Sequence, residues 1–160
     1  VTTHYDARSV RASALGISVS RAAALPPADG ASADLFSIDD GLVLLVAFWG
    51  QVTVAIPNVS LDFDIDFDPD SGGSDVVLAS LLAVDNHQAG IFYSLNTTAG
   101  GALVSSADVS RNGVLAAPIL LPAGNIRLDV AGGGAIGTTA RVKWTAVYVP
   151  LDNAAVLSAV

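Results

Sequence analysis

Between Leu61 and Asp68 apolar and acidic residues alternate without a break, Leu61, Phe63, Ile65 and Phe67 against Asp62, Asp64, Asp66 and Asp68. A period of two belongs to a strand with one face buried and one face wet, and no helix sorts these residues onto two faces. The run ends in Pro69-Asp70-Ser71-Gly72-Gly73-Ser74. There proline removes a ladder donor and glycine admits positive φ, so the chain turns, and a second apolar run begins at Val76. The four carboxylates stand about 7 Å apart along one face, and each raises the electrostatic cost of its neighbours. Something must offset that repulsion or use it. Three readings are open: a solvated acidic strand, a face for an arginine-bearing partner, or a structural divalent cation. For the cation the candidate ligands are Asp66, Asp68, Asp70 and Asp75, because alternate carboxylates followed by a glycine turn resemble the opening of a calcium loop. The match to the helix-loop-helix calcium motif is imperfect. With Asp66 as the first position Gly72 falls at the seventh rather than the sixth, and the chain has no Glu for the twelfth. The solvated strand is the simplest of the three.

Composition extends the strand argument to the whole chain. The acidic residues are fifteen Asp and no Glu, against six Arg and one Lys, and there is no Met. That lacks much of the vocabulary of an exposed helix, whereas Val, Thr, Gly and Asp abound, which points to an all-β domain. At 160 residues the chain is one domain by length and buries roughly 70% of its unfolded surface. It has no Cys, which excludes disulfides and thiolate chemistry and leaves the redox compartment open. The net charge of −8 argues against a nucleic-acid partner for the folded body. A 52% apolar content without a run of about 18 uncharged apolar residues argues against a membrane span and for subunit contacts. The apolar stretch around Leu15 to Val19 is broken by Gly16 and Ser18 and followed by Arg21, so it does not read as a secretory signal.

Three regions follow. Residues 1–33 form an N-terminal arm with three of the six arginines, Arg8, Arg11 and Arg21, and little strand periodicity. A short helix over Tyr5 to Ala14 is possible there, and Pro26-Pro27 ends any helix. Residues 34–150 carry about eight strands separated by turn clusters, the signature of an antiparallel sandwich or jelly-roll-like barrel. The run Leu42 to Ile56 is long for one strand, and a kink or bulge is expected near Gly50. In the closing strand Val142, Trp144, Ala146 and Tyr148 share one face, opposite Arg141, Lys143, Thr145 and Val147. Residues 151–160 are an apolar C-terminal tail expected to lie on its own body or on a partner.

No catalytic constellation emerges, so no catalytic or cofactor-binding residue is assigned. Gly132, Gly134 and Gly137 have the dinucleotide-fingerprint spacing, but a β-branched strand follows where a helix is required, and a flexible hairpin is the better reading. The two imidazoles, His4 and His87, fall in a terminus and a turn and read as surface residues; their spacing supports no metal triad. No Ser sits in a G-x-S-x-G elbow. Asn58-Val59-Ser60 and Asn96-Thr97-Thr98 are formal glycosylation sequons. A secreted hydrolase would require a deep pocket with convergent Asp and His.

The segments LFSIDDGLVLLVAFWGQVTVAI, DPDSGGSDVVLASLLAVDN and RVKWTAVYVPLDNAAVLSA resemble a family of small virion structural proteins of actinobacterial tailed phages. The resemblance spans about residues 33–159 and is most specific in the tryptophan-containing strand from Lys143 to Asp152. It implies a virion component, in the capsid or in the tail. The Asp ladder and the basic arm depart from the family pattern. The expectation is a non-enzymatic decoration protein on the outer capsid surface. It would bind the major capsid protein, self-associate into a homo-oligomer, most simply a trimer, and need no cofactor beyond a possible structural Ca2+. The alternative is a tail or fibre component that binds a host-surface glycan, marked by exposed aromatics beside polar loops such as Tyr93 near Asn96.

Overall fold

A computed structural model describes residues 15–96, 100–106 and 114–160. They form β1 (Ile17–Ser20), β2 (Ser32–Asp39), β3 (Val43–Val54), β4 (Asp62–Pro69), β5 (Val76–Ala83), β6 (Phe92–Ser94), β7 (Val104–Ser106), β8 (Val114–Leu121), β9 (Gly124–Ala131), β10 (Arg141–Pro150) and β11 (Val156–Ala159). Every named element of the described residues is a strand, and helical assignment is confined to Leu15 at their start. The strands make two antiparallel sheets packed as a β-sandwich. The first runs β1-β10-β3-β6-β7, with β8 also on β3, and the second runs β11-β2-β9-β4-β5. The short helix considered over Tyr5 to Ala14, and His4 before it, lie outside the described residues.

The alternation at Leu61 to Asp68 places itself as expected. Phe63, Ile65 and Phe67 of β4 point into the core and the intervening Asp residues point out. The same period governs β9, where Ile126, Leu128 and Val130 are buried between Arg127 and Asp129. Between the sheets an aromatic chain spans the core: Phe36 of β2 meets Phe48 of β3 edge-on at 6.1 Å, Phe48 stacks on Trp144 of β10 at 5.4 Å, Trp144 stacks on Tyr93 of β6 at 6.0 Å, and Tyr93 meets Phe63 of β4 edge-on at 5.9 Å. Each ring is buried, and such offset or edge-on pairs add about 0.5–1.5 kcal/mol beyond area burial.

Gly50 itself keeps regular register in β3. The strand runs unbroken from Val43 to Val54, and its register irregularities fall to either side, opposite Arg141/Val142 and Val147/Tyr148. Gly50 pairs with Trp144 on one side and Tyr93 on the other. A Cβ there would stand 2.6 Å from the Trp144 ring, so the missing side chain is what lets the two rings meet across β3.

The part of the arm region that is described is knitted into its own sandwich. β1 pairs with β10 at the edge of the first sheet, and Ala24 bridges to Val142. The tail does the same on the second sheet, where β11 pairs with β2 and buries Ala155 and Leu157. Arg21 donates from Nε to the Val160 carbonyl at 2.6 Å, tying these two edges together. Across the molecule, the Ser80 N–H of β5 donates to the Gly101 carbonyl at 3.1 Å and the Leu103 N–H to Ser80 at 2.9 Å. Edges satisfied in this way offer little template for foreign strands.

The glycine run after β9 is a crossover and not a hairpin, because β9 and β10 belong to different sheets. The Gly133 N–H donates to Asp29 Oδ1 at 2.9 Å, and the Gly134 N–H to the Ser60 carbonyl at 2.9 Å. These amides are engaged in fixing the loop.

Candidate functional site: the carboxylate face of the second sheet

The outer face of the second sheet gathers the ladder of β4 beside β9. Register sets Asp64 opposite Asp129, Asp66 opposite Arg127 and Asp68 opposite Asn125. A like-charged pair directly opposite, as at Asp64 and Asp129, is unfavourable. Arg127 is the local counter-charge. Its Nη1 lies 3.1 Å from Asp68 Oδ2 and 3.4 Å from Asp75 Oδ2, and its Nη2 lies 3.6 Å from Asp129 Oδ1. Nη2 also donates to Ser32 Oγ at 3.3 Å. One guanidinium fork thus collects carboxylates from β4, the β4–β5 turn and its own strand. Burial lowers its pKa, and the surrounding carboxylates, Asp129 foremost, more than offset that and hold it raised.

Asp64, Asp66 and Asp129 remain as a trio whose nearest oxygens lie within 4.8 Å of one another. The Oδ1 atoms of Asp66 and Asp129 are buried and accept no hydrogen bond. Burial, then Asp64 and Asp129, push the Asp66 carboxyl up to about 6. Asp64 is raised as well, by burial first and Asp129 second. When Asp66 takes a proton, its close approach to Asp129 changes from a repulsion into a hydrogen bond. Chemically, the trio can store a proton near pH 6, or offer three of the six to eight oxygens that calcium takes.

The structure distributes the four sequence-predicted ligands differently. Asp66 belongs to the trio, Asp68 and Asp75 face Arg127, and Asp70 is exposed in the turn with its N–H donating to the Ala123 carbonyl at 3.1 Å. Carboxylates two apart on one strand run parallel rather than converging, so the third member comes from the neighbouring strand. Asp129 and Arg127 were not singled out in the sequence. The available signal was the alternation of NIRLDVA, but only strand order reveals that β9 lies beside β4.

His87 is half-buried rather than a free surface residue. Its ring stacks on Tyr93 at 5.7 Å, with Nδ1 2.9 Å from the Tyr93 hydroxyl. Burial lowers its pKa against the raising effect of Asp85, and burial raises that of Tyr93. Tyr93 is fully buried and is not the exposed aromatic that a glycan site would use.

Comparison with protein-family models, with curated proteins and with solved structures gives no match to this chain.

Proposed function

We propose that this chain is a non-enzymatic structural protein of a phage virion, a decoration protein that binds the major capsid protein on the outer capsid surface and stabilises the shell. The observation that carries the reading is that its chemistry lies on two broad opposite faces. Among the described residues, every Asp within a strand, namely Asp34, Asp39, Asp62, Asp64, Asp66, Asp68 and Asp129, belongs to the second sheet, and none belongs to the six strands of the first. Proteins that work by covering and bridging need faces of this kind. The sequence resemblance supports the same reading, although its most specific segment, Lys143 to Asp152, forms β10 and the following turn and so bears on architecture more than on partner.

Mixing the purified protein with undecorated capsids tests this. Saturable binding at a fixed ratio to the major capsid protein, with a higher melting temperature of the shell, is the expected result. Absence of binding would remove the decoration reading. Binding of the isolated protein to host envelopes instead would favour a tail component. The role of the arm is tested by deleting residues 1–14, which leaves β1 and the Ala24 bridge in place; reduced capsid occupancy is expected, and unchanged occupancy would exclude the arm from the contact.

A further inference from the structure

The outer face of the first sheet is apolar where the second sheet is acidic. Leu44, Val46 and Trp49 of β3 stand beside Val147 and Val149 of β10, and Leu120 of β8 continues the face next to Leu44. Leu120 is 55% exposed. The shallow groove between Val46, Trp49, Val147 and Val149 is rimmed by Leu15 and Gly16. Among the described residues, the charged side chains on the strands of this sheet are Arg141 and Lys143 at one end of β10.

Two occupants are available within the chain's own material, its N-terminal segment and a second copy. Residues 1–14 join the groove at Leu15, but VTTHYDARSVRASA brings only Val1, Tyr5 and Val10 as sizeable apolar groups amid polar and charged ones. That is too little to cover a face built over three strands. A second copy brings an equal apolar face, with no carboxylate on its described strands. With a net charge of −8 per chain, copies approaching through their second sheets would bring two Asp ladders together. Approaching through the first sheets places those ladders on the far sides, separated by about 30 Å at roughly 10 Å per sheet-to-sheet spacing, well beyond a screening length of about 8–10 Å. Exposed Val76, Val77 and Leu81 on β5 offer no such escape, because β5 pairs directly with the ladder strand β4.

We propose that the outer face of the first sheet is the contact between copies of this chain, turned toward the symmetry axis of a closed homo-oligomer with the carboxylate face outward. This goes beyond the decoration reading and does not rest on it, since a protein that ignored capsids would still self-associate. The test is the mass of the full chain by light scattering across concentration, for wild type, Leu120→Asp, Val149→Asp and the control Leu81→Asp, each checked for an intact far-ultraviolet spectrum. The wild type and Leu81→Asp are expected to be oligomeric at about 100 μM, and the two face variants to dissociate at least about tenfold more readily. Trp49 gives a second readout: in Trp144→Phe, used once its far-ultraviolet spectrum and thermal midpoint show an intact fold, its emission should shift to the blue as concentration rises. A monomeric wild type, equal loss in Leu81→Asp, or a concentration-independent Trp49 spectrum would overturn the proposal.

Discussion

At Gly50 one absent methyl group decides how the core closes. Its Cβ position is occupied by the Trp144 ring, with Cζ3 at 2.6 Å and Cε3 at 2.8 Å, and that ring is held from its other contacts by Phe48 and Tyr93. Gly50→Ala therefore overpacks a rigid site, and a loss of about 2–3 kcal/mol is expected in urea unfolding. The glycine was legible as a special position, but a strand glycine signals either a bend or a close approach, and only the cross-strand register decides between them. Asp66 illustrates the same limit for charge. Its place on a wet face followed from periodicity, whereas its neighbour Asp129 lies 63 positions away in sequence. Because its folded pKa of about 6 exceeds the ordinary 3.8, this group favours the native state below about pH 4, and that support is lost as pH rises toward 6. His87 acts with the opposite sign: with its folded pKa lowered, its contribution is lost as pH falls below about 6.5. Asp66→Asn supplies an amide donor in place of a repelled carboxylate. It should raise stability at pH 7 by about 1 kcal/mol after allowing for solvent screening, and the gain over wild type should disappear near pH 4. A gain that persists at pH 4 would mean that charge is not its source.

At the scale of elements, the strands missed in the sequence are the two outermost ones on the seam, β1 and β11, both four residues long. The central strands announce themselves by alternation because both period and burial act over eight or more residues. An edge strand of four residues has room for only two inward side chains, so the signal of ISVS or VLSA is no stronger than that of a loop. Both strands nonetheless carry weight. Leu157 is buried in the core and Thr145, covered by β1, accepts or donates a hydrogen bond with Ser20 at 2.9 Å. Leu157→Ala should cost about 2–3 kcal/mol, lowering the thermal midpoint by several degrees. Deletion of residues 1–14 removes no described pairing and should leave the midpoint of the isolated protein within about 1 °C. A large loss on that deletion would place the first fourteen residues in the stability of the sandwich itself.

The whole molecule is polarised, and the sign of its salt dependence follows. Among the described residues, seven strand carboxylates share the second sheet with Arg127 as its one basic strand residue, while the first sheet holds Arg141 and Lys143 and no strand acid. Going from about 0.01 to about 1 M NaCl shortens the screening length from about 30 to about 3 Å. Screening weakens the attraction of Arg127 for Asp68, Asp75 and Asp129, but those contacts are partly exposed and worth little individually. It also weakens the mutual repulsion of the ladder, which acts along β4 among Asp62, Asp64 and Asp66, across to Asp129 and onward to Asp75. Repelling pairs outnumber attracting ones on this face, so the midpoint of wild type, measured at low protein concentration to keep association out of the readout, should rise by a few degrees with salt. The rise should shrink by at least about half in Asp64→Asn/Asp66→Asn, because that double substitution removes the closest repelling carboxylates and leaves every Arg127 contact standing. If the midpoint instead falls with salt, the Arg127 fork outweighs the ladder, and Arg127→Met should then abolish the fall.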